Sequence, residues 1–145
     1  MKAWELLGQT CTPDGSDMQL ARQDAEYVIR VNGKTLMSSR AHGSEEALAT
    51  AACLRCRASE EPCVLIGGLG MGFTLRAALD LLPPKVTVTV VELVPAVIEW
   101  NRGPLAALAG HPLSDRRVRV EIGDVGVTMR QSPDQFDAIL LDVDN

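Results

Sequence analysis

The sequence predicts an α/β fold in which a parallel sheet follows a smaller antiparallel β region. From Cys63 onward, apolar runs of strand length alternate with stretches of helical periodicity, as in parallel strands joined by helices. The first of these strands leads into a glycine-rich segment, residues 67–72, and a helical pattern follows it. Before Cys63, two β-prone runs flank the dipeptide Asn32-Gly33. The length of 145 residues and the 46% hydrophobic content suffice for one compact domain.

The smaller β region is assigned to residues 1–43. We predict a first strand at residues 4–10, followed by a cluster of turn-forming residues at 12–16. Two further β-prone runs, Glu26–Val31 and Lys34–Met37, are separated only by the Asn-Gly dipeptide. Because both of its residues tolerate positive φ, this dipeptide between β-prone runs is the strongest short signal of a β-hairpin. We therefore predict a short antiparallel hairpin region before the α/β part.

The α/β part is assigned to residues 44–145. We expect a helix from Ser44 to about Ala58, because Ser44 is a suitable N-cap and Glu45 and Glu46 favour the first turn. The elements predicted after it are strands at 63–67, 86–93, 118–122 and 136–141, and helices at 72–82, 95–109 and about 125–131. Strands separated by helices predict a parallel sheet with right-handed crossovers.

Composition and charge narrow the classes of function. The net charge of −5 and the pI near 5.0 argue against a general binder of nucleic acids or of anionic membranes. No apolar run approaches the length of a membrane span, and residues 1–5 do not resemble a signal peptide, so we expect a cytoplasmic protein. Cys53 and Cys56 form a C-x-x-C without a second such pair or a close histidine pair. We therefore favour packing thiols over a metal or redox site.

The glycine-rich segment predicts a nucleotide site. Gly68, Gly70 and Gly72 have the spacing G-x-G-x-G, which lets the backbone turn tightly and approach a ligand. The dinucleotide fingerprint G-x-G-x-x-G/A needs a small third residue, and here that place holds Phe73. The spacing instead resembles that of class I S-adenosylmethionine-dependent transferases. A turn without a ligand is the structural alternative.

Three acids fall at the predicted carboxyl ends of strands, where open α/β sheets bind ligands. Glu92 lies 20 residues after Gly72, where a carboxylate can accept hydrogen bonds from ribose hydroxyls. Asp124 could accept from an adenine amine, or it could form an Asx turn. Asp142 could hold an amine or take its proton. The alternative for Glu92 and Asp142 is an ordinary polar strand end, and we expect removal of Glu92 to leave the unliganded fold nearly unchanged.

Residues from roughly 26 to 145 resemble the polyamine aminopropyltransferase family, which comprises spermidine synthase and its relatives. Four motifs carry the resemblance in the same order and with the same spacing. They are the glycine segment 68–76, the segments 91–93 with 97–99, the segments 115–120 with 123–124, and the segment 136–142. Four motifs together are much more specific than a glycine-rich turn alone.

The resemblance implies a Rossmann-like fold of the class I methyltransferase type, preceded by a small β domain and assembled as a homodimer. It assigns the three loop glycines to the nucleoside and its tail, Glu92 to the ribose hydroxyls and Asp124 to the adenine amine. Asp142 would accept the proton of the attacking amine. The donor substrate would be decarboxylated S-adenosylmethionine or S-adenosylmethionine, the acceptor would be an amine, and no metal is implied.

The sequence departs from the family pattern at several places, among them Ala77, where an acid usually follows Arg76, and a short N-terminal domain. Met71 stands where the glycine loop of the family carries an acid, and a thioether cannot hold a positive amine. The second acid of the family, three residues after the base, falls on Asn145, while Asp144 is one place early. The chain ends at the fourth strand, so we expect a fold truncated there, with an edge that favours pairing with a second chain.

Two alternatives to an aminopropyltransferase therefore stay open at this point. One is a methyltransferase that uses S-adenosylmethionine on an unknown acceptor. The other is a non-catalytic relative that binds a nucleoside.

Overall fold

The computed structural model describes residues 2–41, 43–54, 56 and 60–142. The strands are β1 (Glu5–Cys11), β2 (Asp17–Gln23), β3 (Glu26–Val31), β4 (Lys34–Ser38), β5 (Cys63–Gly67), β6 (Thr87–Glu92), β7 (Val118–Ile122) and β8 (Ala138–Leu141). The helices are α1 (Gly43–Cys53), α2 (Phe73–Leu81), α3 (Pro95–Arg102) and α4 (Val125–Gln131), with a 3₁₀ turn at Pro112–Ser114. None of the helices in these ranges is long and apolar enough to span a membrane.

The first four strands form an antiparallel sheet in the order β1-β2-β3-β4. The predicted hairpin is confirmed, because β3 pairs with β4 across Asn32 and Gly33, whose φ angles are 50° and 80°. The antiparallel part is nevertheless larger than the predicted hairpin. It also contains β2, a strand that was not predicted from the sequence. Met18 and Leu20 alternate with less buried residues along β2 and bury one face of this strand.

The last four strands form a parallel sheet in the order β7-β6-β5-β8, so the predicted α/β class is confirmed. Val64 of β5 pairs with Val88 of β6 and with Ala138 of β8, and Val88 pairs in turn with Val118 of β7. This register brings the carboxyl ends of the four strands to one edge of the sheet. The loops that leave β5, β6, β7 and β8 therefore meet at that edge.

The two sheets share one apolar core. Leu20 and Ile29 of the antiparallel sheet belong to the same buried cluster as Val64 and Leu75 of the α/β part. Contact is also close at Gly8, where an added Cβ would lie only 2.3 Å from Nε1 of Trp100 on α3. The division at residue 43 stays a prediction, and side chains from both sides of it are buried together.

Two predicted helices are shorter in the structure than in the sequence analysis. Helix α1 ends at Cys53 and residues 54 and 56 have 3₁₀ geometry, while Ala58 lies outside the described residues. Helix α3 ends at Arg102 and is followed by turns rather than by helix up to residue 109. The reason is local, because Pro104 disfavours helical geometry at the residue before it and lacks a donor of its own.

Candidate functional site

The glycine loop, residues 68–72, lies at the carboxyl end of β5. Gly68, Gly70 and Gly72 have φ angles of 93°, 53° and 85°, in the left-handed region where side chains with a Cβ are strained. The loop also passes close to its neighbours: a Cβ on Gly70 would lie 3.1 Å from Sδ of Met37, and one on Gly72 would lie 3.2 Å from Oδ1 of Asn101. All three predicted glycines therefore have a backbone conformation that favours glycine.

Glu92 lies at the end of β6 and contacts this loop. Its Oε1 accepts a hydrogen bond from the N–H of Leu69, and its Oε2 accepts one from the N–H of Val94, each at 2.9 Å. The residue is only 8% exposed. Glu92 is thus not an ordinary solvent-facing acid, and each of its oxygens keeps a second lone pair as an acceptor.

Asp124 follows β7 and begins α4. Its Oδ1 accepts a hydrogen bond from the N–H of Gly126 at 2.7 Å, so Asp124 caps the helix in the manner of the Asx alternative. The side chain is exposed. Its main chain lies beside that of Glu92, because the N–H of Gly123 donates to the Glu92 carbonyl at 3.0 Å. The structure therefore places Asp124 one strand away from Glu92, on the same edge of the sheet.

Asp142 follows β8 directly. Its N–H donates to the carbonyl of Gly67 at 2.8 Å, and its Oδ2 accepts a hydrogen bond from Oγ1 of Thr74 at 2.7 Å. Gly67 precedes the glycine loop, and Thr74 lies in the first turn of α2 after it. Asp142 is therefore held beside the loop by residues on both sides of it, as its predicted place at the strand end requires.

A cavity of about 320 Å³ lies between the antiparallel sheet and the carboxyl edge of the parallel sheet. It is lined by Thr35, Leu36, Met37, Ser38, Ala41, Glu45, Gly70, Met71, Phe73 and Asp142. Of these described residues, Glu45 and Asp142 carry carboxylates and none is lysine or arginine. Apolar side chains from Leu36, Met37 and Met71 form much of the wall. Such a cavity suits a small ligand that combines a positive amine with a hydrocarbon segment.

Met71 contributes to both this cavity and the core. It is 4% exposed and belongs to the buried apolar cluster. Met71, which stands where the glycine loop of the family carries an acid, is therefore part of the cavity wall. A second departure concerns Asp144 and Asn145, which lie outside the described residues.

Four residues that build this region were not among the predicted site residues. Asn101 is 2% exposed, and its Nδ2 donates to the carbonyls of Gly70 at 2.7 Å and Val97 at 2.8 Å, which fastens the glycine loop to α3. A Cβ on Gly67 would lie 2.8 Å from Cγ2 of Val125, so only glycine lets α4 approach β5.

Thr74 and Glu45 were also not predicted as site residues. A polar residue on a helix ordinarily indicates a solvated face, and only the glycine before the G-x-G-x-G spacing gave a signal.

No family model matches this chain. Among curated proteins, the polyamine aminopropyltransferase of Bacillus mycoides (strain KBAB4) is 35% identical over 79 residues, and polyamine aminopropyltransferase 1 of Bacillus anthracis is 34% identical over 79 residues. Each alignment covers 54% of this chain and 28% of the relative. The chain thus matches less than a third of the length of these relatives.

Solved structures agree over a longer stretch. A spermidine synthase in complex with the transition state analogue AdoDATO superposes with a TM-score of 0.75 at 24% identity, covering 94% of this chain and 47% of the other. Spermidine synthase from Thermotoga maritima has a TM-score of 0.72 at 22% identity, covering 97% and 47%. The chain therefore has the Rossmann-like fold of these proteins, and its resemblance to the polyamine aminopropyltransferases is confirmed.

Proposed function

We propose that this chain is a spermidine synthase-like transferase that binds decarboxylated S-adenosylmethionine and transfers its aminopropyl group to an amine. The observation that carries the proposal is the meeting of the glycine loop, Glu92 and Asp142 at one edge of the sheet, beside a cavity with acidic and apolar walls. The curated relatives support it, because they are named polyamine aminopropyltransferases.

In this proposal the donor nucleoside lies along the carboxyl edge of β5, β6 and β7. The glycine loop supplies close backbone contact, and Glu92 accepts hydrogen bonds from the ribose hydroxyls. The two backbone donors to Glu92 hold its carboxylate in one orientation, so the remaining lone pairs are aimed before the ligand arrives. Asp124 accepts from the exocyclic amine of adenine while it continues to cap α4.

The acceptor amine occupies the cavity. Glu45 and Asp142 attract its positive charge, and the apolar wall contacts its methylene groups. Asp142 takes a proton from the amine, whose lone pair then attacks the carbon next to the sulfonium. The new C–N bond forms as the C–S bond breaks, and neutral methylthioadenosine leaves. Sulfonium is a good leaving group, so positioning and deprotonation of the amine supply most of the catalysis.

Methyl transfer from S-adenosylmethionine is the second candidate function. Met71 favours it, because the cavity wall carries a thioether where an acid would hold the amine of a decarboxylated tail. Without that acid, the site repels the carboxylate of ordinary S-adenosylmethionine less strongly. We therefore propose that the two donors bind with comparable affinity and that turnover with putrescine is slow.

Ligand binding and product analysis test the proposed function. We expect methylthioadenosine and both donors to raise the melting temperature, because a ligand at 100 times its dissociation constant stabilises a protein by about 2.7 kcal/mol. Mass spectrometry of reactions with putrescine should show an aminopropylated product, which Asp142→Asn abolishes. A thermal shift with NAD alone would contradict both candidate functions, and transfer of a methyl group would contradict aminopropyl transfer in favour of the second candidate.

We also propose that the protein is a cytoplasmic homodimer. Strand β8 lies at the end of the sheet order, and its Ile139 and Leu141 are 41% and 49% exposed. An exposed apolar edge strand favours pairing with another chain. Light scattering during size-exclusion chromatography should give twice the mass of one chain, and a monomer at all concentrations would contradict the dimer.

A further inference from the structure

A buried hydroxyl contacts the proposed catalytic carboxylate. Thr74 is the second residue of α2 and is only 1% exposed. Its Oγ1 donates to Oδ2 of Asp142 at 2.7 Å, a short and well-formed hydrogen bond between side chains that are 68 residues apart in sequence. The helical apolar pattern of α2 gives no hint of this contact.

Two hydrogen bonds of Asp142 fix different parts of the residue. The hydrogen bond from its N–H to the carbonyl of Gly67 fixes its main chain, at the end of β5. The hydrogen bond from Thr74 fixes its side chain, at the start of α2. Because Gly67 and Thr74 flank the glycine loop, the carboxylate has a set orientation relative to whatever the loop binds.

We propose that Thr74 is a positioning residue for Asp142, an inference that rests on the proposed role of Asp142 as proton acceptor. The hydroxyl orients the carboxylate toward the acceptor amine. It also stabilises the charged form, since a hydrogen bond donated to a carboxylate favours ionisation. The positive N-terminal end of α2 acts in the same direction, whereas the carboxylate of Glu45, which lines the same cavity, acts against it.

Two substitutions separate positioning from packing. Thr74→Val keeps the shape of the side chain and removes the donor, whereas Thr74→Ser keeps the donor and removes a methyl group. A positioning role makes valine the harmful change and serine the mild one. A packing role at this buried place predicts the opposite order, because serine leaves a small void. Circular dichroism establishes that each variant is folded, and Thr74→Ala replaces Thr74→Val if valine prevents folding.

The direct measurement is a pH titration of the Asp142 carboxyl carbon by ¹³C NMR, with Asp142→Asn to assign the signal. We expect Thr74→Val to move its midpoint to higher pH by about one unit, the change that corresponds to losing one charged hydrogen bond. Thr74→Ser should titrate as the unmodified protein does. Coincident midpoints for valine and the unmodified protein would overturn the proposal.

Kinetics supply the second measurement. Thr74→Val should lower kcat by about tenfold and leave KM nearly unchanged, since it disturbs an orientation used in the chemical step. Thr74→Ser should keep most of the activity. If Asp142→Asn retains full activity, the proposed function fails, whereas the NMR titration still decides whether Thr74 controls Asp142.

Discussion

The carboxylate of Glu92 accepts a hydrogen bond from the N–H of Leu69 at 2.9 Å, which ties the end of β6 to the glycine loop. Its other oxygen accepts from the N–H of Val94, also at 2.9 Å. Both donors belong to loops at the edge of the sheet, and Glu92 itself is buried. The residue therefore shapes the loop before any ligand binds.

Replacing Glu92 should weaken both the fold and the binding of the nucleoside. Glu92→Ala leaves two N–H groups without an acceptor, so we expect a loss of about 2–4 kcal/mol in the free energy of unfolding. The sequence alone led us to expect that the unliganded fold would hardly change. The two backbone hydrogen bonds to Glu92 are the reason for the larger effect expected here. Methylthioadenosine should bind more weakly by about 1.5–3 kcal/mol, the range for charged hydrogen bonds. Urea unfolding and calorimetric titration measure the two effects.

Asp124→Ala, at the next strand end, is the control for the effect on stability. It removes a helix cap and should cost about 1 kcal/mol of stability, less than Glu92→Ala. Unchanged stability and affinity in the Glu92 variant would return that residue to the role of an ordinary strand-end acid.

Replacing Met71 by aspartate should change the preference between donors at a cost to the fold. The side chain is 4% exposed, so a carboxylate there loses hydration and should lower the melting temperature more than Met71→Leu does. Once bound, the amine of the decarboxylated donor offsets that charge, and we expect its affinity to gain about 1 kcal/mol or more over S-adenosylmethionine. Competition binding of the two donors gives the ratio. If the unmodified protein strongly prefers the decarboxylated donor, Met71 does not reduce discrimination between the two donors.

The cavity acid Glu45 should affect the acceptor and not the donor. We expect Glu45→Gln to raise the KM for a diamine by about three- to tenfold, the range for a partly solvated charge pair, with little change in kcat. Glu46→Gln is the control, because Glu46 also lies in the first turn of α1 but does not line the cavity. Equal effects of the two substitutions would show that only the helix terminus or the net charge matters.

The ion pair of Asp115 and Arg117 should make stability depend on acid pH. Hydrogen bonds from Arg117 lower the pKa of Asp115 from 3.8 to about 2 in the folded protein. A lowered folded-state pKa means that the stabilisation is present above the unfolded value and is lost as the pH falls through about 2. After allowance for solvent screening, we expect about 1 kcal/mol. Urea unfolding of Asp115→Asn should show this deficit at neutral pH and converge with the unmodified protein in strong acid; a constant deficit would exclude the ion pair as its cause.

The C-x-x-C thiols should be unreactive in the folded protein. Burial raises the pKa of Cys53 to about 11, with a smaller contribution from Cys56, and burial likewise raises the pKa of Cys56. Because the thiolate is the reactive form, iodoacetamide at neutral pH should modify exposed Cys11 well before Cys53 or Cys56. Peptide mass spectrometry follows the modification, with urea-unfolded protein as control. Rapid modification of Cys53 in the native state would reopen a redox role.

Local chemistry explains which parts of this structure could be predicted. The Asn-Gly turn, the glycine loop and the acids at strand ends depend on neighbouring residues and on the rule that parallel strands end at one edge. The cavity could not be predicted in the same way, because it needs β4, α1 and β8 to meet. The contact of Thr74 with Asp142 and the anchoring of the loop by Asn101 likewise join distant segments.

The close packing of Gly8 against Trp100 also gives the protein an optical signal. Trp100 is 7% exposed and lies beneath β1. The other tryptophan, Trp4, is 37% exposed, and its ring centre lies 4.7 Å from the guanidinium carbon of Arg30. Because the indole of Trp100 packs against Gly8 of β1, separation of the antiparallel sheet from α3 should expose it to water. A red shift of its fluorescence therefore reports separation of the two sheets, and with it the opening of the cavity that lies between them.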